Sequence, residues 1–187
     1  IVVPMSTVPH WVDEIMRWTP SLRFLVFRGT KKNRDILSDQ MVHQERPSII
    51  LTTFDTLVKH QSFMSQWSWI CFVVDEGHRL KNFKGMFSKC CRKMQARHRL
   101  LLTGTPIQNS LRELWALLAF VAPRSFGSLA SFEDWFALPS SSTGKLSLSV
   151  NTVEMETAEL LSEEEELLVI QRLHKVLRPF LLRRTKE

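Results

Sequence analysis

The sequence predicts an α/β fold with a mostly parallel sheet and helices on both faces, on three observations. Apolar segments of strand length alternate with segments of helical character at the spacing of β-α-β units. Each strand-like segment is a nearly continuous apolar run, as expected when helices cover both faces of the sheet. Polar residues directly follow four of these runs, and ligands of open parallel sheets bind beyond the carboxyl ends of the strands.

Strands and helices are assigned from these patterns in chain order. Strands are predicted at residues 1–4, 22–27, 48–54, 69–74 and 97–105. Helical segments are predicted at residues 7–18, 31–44, 55–64, 84–96, 111–123 and 131–136. In the first helix, Trp11, Ile15 and Trp18 recur at helical spacing, and Pro123 ends the helix that begins at residue 111.

The last third of the chain differs in composition from the rest. Residues 138–161 are rich in Ser and Thr and then acidic, without clear periodicity, which indicates a flexible insertion. Residues 162–177 predict a helix with Ser162 as N-cap and glutamates in its first turn, where the helix dipole favours them. We therefore expect one lobe at 1–137, an insertion at 138–161 and a final helix with a basic end at 162–187.

Composition excludes several classes of protein. No segment approaches the roughly 18–20 apolar residues of a membrane helix. The three cysteines are odd in number and two are adjacent, which predicts reduced thiols in an intracellular protein and gives no zinc-ligand spacing. The formal net charge is +6, and residues 79–99 hold eight Lys and Arg without an acid. This basic block is either a solvated face or a surface that meets phosphates.

The polar strand ends are predicted to meet at one edge of the sheet. They are Ser6-Thr7, Thr52-Thr53, Asp75-Glu76 and Thr103-Gly104-Thr105. An aspartate at a strand end suits Mg²⁺, which prefers carboxylate and phosphate oxygens, and a neighbouring glutamate suits the activation of water. Gly77 allows a close backbone turn, and His78 adds a hydrogen-bonding group. Two solvated acids at a capped turn are the simpler interpretation of Asp75-Glu76 alone.

Several motifs in fixed order carry a family resemblance. VVDEGHRLKN resembles motif II, the Walker B element, of superfamily two helicase-like ATPases, and LLLTGTPIQNSLRELWALLAFVAP resembles motif III with its following helix. IVVPMSTVPHW resembles motif Ia and ILTTFDTL motif Ib. Together they resemble the first RecA-like lobe, a three-layer α/β fold, of SNF2-family chromatin-remodelling ATPases. The end of the chain is similar to SWI/SNF-type catalytic subunits in particular.

The resemblance implies a role for each matching residue. Asp75 would hold the Mg²⁺ of MgATP, Glu76 would activate the hydrolytic water, and the nucleotide site would also include Gly77 and His78. His78, with Thr103, Gly104 and Thr105, would couple nucleotide state to DNA contact. The DNA backbone would be contacted without reading sequence by Ser6, Thr7, Thr52, Thr53, Lys81 and Asn82. Trp11 and Trp115 are expected to pack in the core.

The resemblance also implies partners and a compartment: duplex DNA, nucleosomes and histones, other subunits of a remodelling complex, and the nucleus, with no membrane. The sequence departs from the family at one point, because it contains no G-x-x-x-x-G-K-[ST] phosphate loop. Motifs of a second lobe are also absent from it. We therefore expect a fold that is incomplete at its N-terminus and a fragment that does not hydrolyse ATP by itself.

Two functions of different classes remain open. The first is a piece of an ATP-dependent DNA translocase that acts on chromatin. The second is a catalytically dead lobe that serves as a DNA- or protein-binding module, although such a module has no need of both Asp75 and Glu76. A hydrolase with a Ser or Cys nucleophile is disfavoured because G-x-S-x-G is absent, and a metalloprotease because H-E-x-x-H is absent.

Overall fold

The structure is a computed structural model that describes residues 1–43, 46–104, 111–136 and 175–182. Two compact units make up the chain, Ile1–Pro106 and Ile107–Glu187. The predicted insertion at 138–161 and most of the helix at 162–177 lie outside the described residues, and only residues 175–177 of that helix are seen as helical. Within the described parts of the chain, no helix is both long and apolar enough to cross a bilayer.

The first unit is built on a five-stranded sheet in the order β2-β3-β1-β4-β5, and every pairing is parallel. The strands are β1 (Val2–Val3), β2 (Phe24–Phe27), β3 (Ile49–Thr53), β4 (Ser68–Val74) and β5 (Gln95–Leu101). The predicted parallel α/β architecture is confirmed. The central position of β1, between β3 and β4, places the ends of these three strands side by side.

Helices connect the strands as the periodicity predicts. They are α1 (Val8–Trp18), α2 (Lys31–His43), α3 (Phe54–Lys59), α4 (Gln61–Met64) and α5 (Met86–Lys93). Two short 3-10 turns, Met5–Thr7 and Gly77–Lys81, follow β1 and β4. Because each turn begins within three residues of the end of its strand, its side chains stay at the carboxyl edge of the sheet.

The main difference from the predicted elements concerns β5. Its pairing with β4 begins at Gln95, opposite Ser68, and the strand ends at Leu101 rather than at residue 105. The apolar run 100–102 overlaps only the last two residues of β5, because the polar residues before it also pair with β4. The Arg99 side chain explains part of this polarity, since its guanidinium donates to the carbonyls of Cys91 and Met94 at the end of α5.

The core of the first unit lies between helix α1 and the sheet. Val3, Val8, Ile15 and Leu51 form its buried cluster, and the partly buried ring of Trp11 packs against them. Elsewhere in the unit, the ring of Phe54 at the start of α3 meets Phe87 of α5 edge-on, with 4.8 Å between centroids. These contacts fix the helices that follow β1 and β3, and so fix the residues at the ends of both strands.

In the second unit, helices α6 (Leu111–Val121) and α7 (Leu129–Phe136) are described. The indole of Trp115 is buried, as predicted, and its N–H donates to the Phe126 carbonyl at 3.0 Å. The ring of Phe126 in turn meets the rings of Phe132 and Phe180 edge-on. Arg112 and Glu133 join the two helices through a 2.7 Å ion pair at the surface.

Candidate functional site

The polar residues that follow β1, β3 and β4 line one cleft. Its volume is about 430 Å³, and its lining residues are Pro4, Met5, Ser6, Thr7, Thr53, Phe54, Asp55, Glu76, His78 and Arg79. The register explains this convergence, because Val3 pairs with Thr53 and Val2 with Val74, so the three strands reach the edge together. Of the residues predicted to meet at this edge of the sheet, Ser6, Thr7, Thr53 and Glu76 line this cleft, whereas Asp75 lines a second pocket together with Trp11 and Glu14.

Asp75 is held by hydrogen bonds on both sides. Its backbone N–H donates to the Val2 carbonyl at 2.9 Å, which continues the pairing of β4 with β1. Its carboxylate accepts from the backbone N–H of Glu76 at Oδ1 and from the indole N–H of Trp11 at Oδ2, each at 2.9 Å. A carboxylate offers about four acceptor positions, so two remain for a ligand or water.

Glu76 has an unusual backbone. Its φ of 50° and ψ of 50° lie in the left-handed region, which it occupies alone among the non-glycine residues that the structure describes. Such a conformation costs on the order of 1–3 kcal/mol in a non-glycine residue, and strain of this kind is concentrated at functional sites. The Glu76 carboxylate lies 3.1 Å from Nδ1 of His78, and both side chains are about half exposed to the cleft and solvent. The turn thus directs an acid and a histidine outward together.

Gly77 allows the chain to pass very close to β5. A Cβ at this position would lie 2.2 Å from Cδ1 of Leu101, so a side chain there requires the leucine to move. The Gly77 N–H donates to the Leu102 carbonyl at 2.8 Å, and Leu102 N–H donates to the Val74 carbonyl. These bonds tie the Asp75-Glu76 segment directly to the segment that precedes Thr103 and Gly104.

Residues predicted to couple the site are only partly described. Thr103 is half-buried and Gly104 is exposed, one and two residues beyond Leu102. Thr105 lies outside the described residues. His78 is near Glu76, while the coupling role assigned to these four residues stays a prediction.

The four hydroxyls predicted to meet DNA differ in their surroundings. Ser6 is exposed at the rim of the cleft, and the half-buried Thr7 hydroxyl donates to the Pro4 carbonyl at 3.1 Å. Thr52 is only 3% exposed and donates to the Phe27 carbonyl at 2.8 Å, so its hydroxyl links β3 to β2 within the sheet. Thr53 is also buried, and it caps helix α3 by accepting from the Thr56 N–H. Exposure favours Ser6 and Thr7 as the direct contacts.

The cations near the cleft include one that the sequence did not single out. Arg79 lines the cleft, and its guanidinium carbon lies 4.7 Å from the centre of the Phe54 ring. Lys81 is half-buried and the Asn82 side chain is exposed at the end of the same turn. The family resemblance selected Lys81 among the eight basic residues, but it is Arg79 that lines the cleft, because the lining depends on which side chain the turn Gly77–Lys81 directs there.

Trp11 has a second role besides packing. Its ring contacts the core as predicted, but its N–H reaches the Asp75 carboxylate across 64 residues of sequence. Amphipathic spacing identifies the buried face of a helix and carries no information about what an indole N–H meets. This contact was therefore missed.

The donor set fits Mg²⁺ in part. No group of three or more His, Cys, Asp or Glu side chains in the described residues could enclose a metal ion. Magnesium needs no such group, since it is commonly bound by one or two carboxylates together with phosphate oxygens and waters. Asp75, with two acceptor positions left, suits this type of binding. A loop that cradles phosphates is not among the 187 residues of the sequence.

The chain is similar to known proteins along its whole length. The SNF2-related domain family matches residues 1–187. The chain is 45% identical to "Chromatin structure-remodeling complex subunit snf21" of Schizosaccharomyces pombe, covering 100% of this chain and 15% of that protein. It is 44% identical to "Nuclear protein STH1/NPS1" of Saccharomyces cerevisiae, covering 100% of this chain and 13% of the relative. The chain thus spans a small part of the relatives it matches.

A solved structure extends the likeness to the fold. The "Sulfolobus solfataricus SWI2/SNF2 ATPase core in complex with dsDNA" matches with a TM-score of 0.71 and 28% identity. The match covers 99% of this chain and 33% of that one. The match of the family over the full sequence, with two relatives above 40% identity, leads to one conclusion: the chain belongs to the SNF2-related domain family.

Proposed function

We propose that this chain is the part of an ATP-dependent chromatin remodeller that holds the Mg²⁺ of MgATP and activates the attacking water. One observation carries the proposal: Asp75 and Glu76 stand together at the end of β4, an internal strand of the sheet, the first fixed by two hydrogen bonds and the second in a strained backbone. Neither feature is needed by a turn that only exposes two acids.

In the proposed reaction, Asp75 would hold the ion, since two acceptor positions of its carboxylate remain for the water molecules of the ion. Mg²⁺, when bound, supplies positive charge at the phosphate oxygens. Glu76 orients a water molecule and accepts its proton as the water oxygen bonds to the γ-phosphorus, and the bond from phosphorus to the ADP oxygen breaks. The neighbouring His78 keeps the Glu76 carboxylate turned toward the cleft.

A DNA strand would lie across the rim of the cleft that Glu76 lines. Ser6 and Thr7 would meet phosphates through hydroxyl and amide groups, and Arg79, Lys81 and Asn82 would add charge and hydrogen bonds. Thr52 and Thr53 would act indirectly, by fixing β3 and helix α3. The similar ATPase core of Sulfolobus solfataricus was solved in complex with double-stranded DNA, which supports duplex DNA as the partner.

The hydrogen bond from Gly77 to Leu102 supports coupling between the two activities. A shift of the Asp75-Glu76 segment on nucleotide binding would move the backbone that leads to Thr103 and Gly104. By analogy with relatives named as subunits of chromatin-remodelling complexes and as a nuclear protein, the whole protein would act on nucleosomes, in a complex, in the nucleus.

The test replaces the aligned segment of snf21 with this chain, since the two align along all of its length. We expect the purified chimera to hydrolyse ATP in a DNA-dependent manner. Glu76→Gln should lower turnover by about 10²–10⁴-fold, the usual contribution of a general base, while MgATP binding is nearly unchanged. Asp75→Asn should also weaken Mg²⁺-dependent binding.

Two outcomes would overturn the proposal. Normal turnover of the Glu76→Gln chimera would remove this glutamate as the base. A folded chimera that binds DNA but is inactive without any substitution would favour the alternative function, a binding module without catalysis.

A further inference from the structure

A hydrogen bond joins helix α1 to the carboxylate at the end of β4. The donor is the indole Nε1 of Trp11 and the acceptor is Oδ2 of Asp75, 2.9 Å apart. The Trp11 ring packs against the buried cluster that includes Val8, Ile15 and Leu51. Since this packing fixes the plane of the ring, the direction of its N–H is fixed as well.

Two donors determine the orientation of the Asp75 carboxylate. The Glu76 N–H donates to Oδ1. This donor belongs to the adjacent residue and would be available in many turns. Trp11 engages the other oxygen from a separate element, so together they oppose rotation of the carboxylate about its last bond. One acceptor position on each oxygen is then left pointing in a defined direction.

Trp18 on the same helix provides a contrast. Its indole N–H also donates to a carboxylate, that of Glu14 at 2.6 Å, but one turn away within α1. The Trp18 side chain is 71% exposed. The same helix therefore carries two indole-to-carboxylate bonds, one on its surface and one directed from the core to the site.

We propose that Trp11 is a positioning residue: its indole N–H orients the Asp75 carboxylate for the water shell of Mg²⁺. The inference rests on the proposed function, because that function assigns the ion to Asp75. Helix α1 begins at Val8, directly after the turn that carries Ser6 and Thr7. The same helix thus extends from the rim of the cleft to the metal-binding carboxylate.

The test uses Trp11→Phe in the snf21 chimera, which keeps an aromatic ring in the core and removes the N–H. Trp18→Phe is the matched control. We expect Trp11→Phe to raise the Mg²⁺ concentration at half-maximal binding of a fluorescent ADP analogue by about 10-fold, as for other partners of metal ligands. Turnover at saturating Mg²⁺ should change much less. Trp18→Phe should leave both quantities, and the melting temperature, unchanged.

A second readout concerns the hydrogen bond itself and requires no turnover. In the 187-residue chain labelled with ¹⁵N-tryptophan, Asp75→Ala should shift the Trp11 indole resonance and speed its hydrogen exchange, leaving that of Trp18 in place. If the chain alone is unsuitable for NMR, the Mg²⁺ titration of the chimera decides.

The outcomes separate this inference from the proposed function. If Asp75→Asn changes the Mg²⁺ dependence and Trp11→Phe does not, the positioning role is wrong and the function stands. If neither substitution changes it, the assignment of Mg²⁺ to Asp75 is wrong, and the inference fails with it. An equal shift for Trp11→Phe and Trp18→Phe would indicate a general loss of helix stability and would also overturn the positioning role.

Discussion

At the scale of single residues, the site depends on backbone positions that tolerate few substitutions. Glu76 adopts the left-handed conformation without being glycine, and Gly77 passes β5 so closely that a Cβ there would require the Leu101 side chain to move. The strain at Glu76 comes from its backbone, whereas a substitution at Gly77 is limited by the space beside Leu101.

We expect Gly77→Ala to destabilise the first unit by about 1–3 kcal/mol, the usual cost of overpacking a core. The added methyl would meet Cδ1 of Leu101 at 2.2 Å. Gly104→Ala is the matched control, because a Cβ there meets nothing within 4 Å. Urea denaturation followed by circular dichroism measures both. Equal midpoints for the two variants would show that the contact with Leu101 relaxes freely.

At the scale of secondary-structure elements, helix α3 depends on the residue that ends β3. The Thr53 hydroxyl accepts from the Thr56 N–H and donates to the Thr56 hydroxyl at 2.9 Å. Thr53→Val keeps the shape of the side chain and removes the acceptor, and should lower the free energy of unfolding by about 1 kcal/mol. Thr53→Ser keeps the hydroxyl and should cost less. The reverse order in urea denaturation would mean that packing of the methyl outweighs the cap.

Helix α5 carries two adjacent cysteines whose thiols are shielded. Burial is the main cause that raises the pKa of Cys90, to about 11, and burial also raises the pKa of Cys91. The thiolate is the reactive form, so a raised pKa leaves little of it at about pH 8. The exposed Cys71 should therefore be the one thiol that reacts quickly with Ellman's reagent. Cys71→Ser should abolish the fast phase, and rapid reaction of three thiols in the native chain would contradict the burial of α5.

Strands were predictable from the sequence where an apolar run ends at a polar residue. β3 and β4 are apolar runs that end in polar residues, and both were found within one residue of the predicted bounds. β5 was displaced because parallel pairing with β4, which periodicity does not report, decides where it begins. The convergence at the carboxyl edge followed from topology, whereas the bond from Trp11 and the use of the Thr52 hydroxyl depend on side-chain geometry. A pattern of residue types contains neither.

At the scale of the whole molecule, the basic residues at 79–99 fall into two groups: some make contacts within the protein, and others are available at its surface. Arg92 donates to the Phe83 carbonyl at 3.0 Å and covers the Phe83 ring, and Arg99 binds carbonyls at the end of α5. Arginines at a helix C-terminus are favoured by its dipole. These two cations thus have intramolecular roles, and Arg79 is the member of the block that lines the cleft.

The last prediction concerns DNA binding as a property of the whole surface. Contacts with phosphates release counterions, so the affinity of the snf21 chimera for duplex DNA should fall steeply with salt and equally for two unrelated sequences. Arg79→Ala should flatten the plot of log affinity against log salt by about one unit if its guanidinium meets a phosphate, and Lys81→Ala by up to about one unit. Lys89→Ala, on the exposed surface of α5, is the matched control and should leave the slope unchanged.

A slope that responds to Lys89 as strongly as to Arg79 would indicate diffuse attraction by net charge, and a preference for one duplex would contradict recognition through the backbone alone. A slope that changes only with Arg79 would place the DNA strand along the cleft, beside the Glu76 carboxylate of the proposed ATPase site.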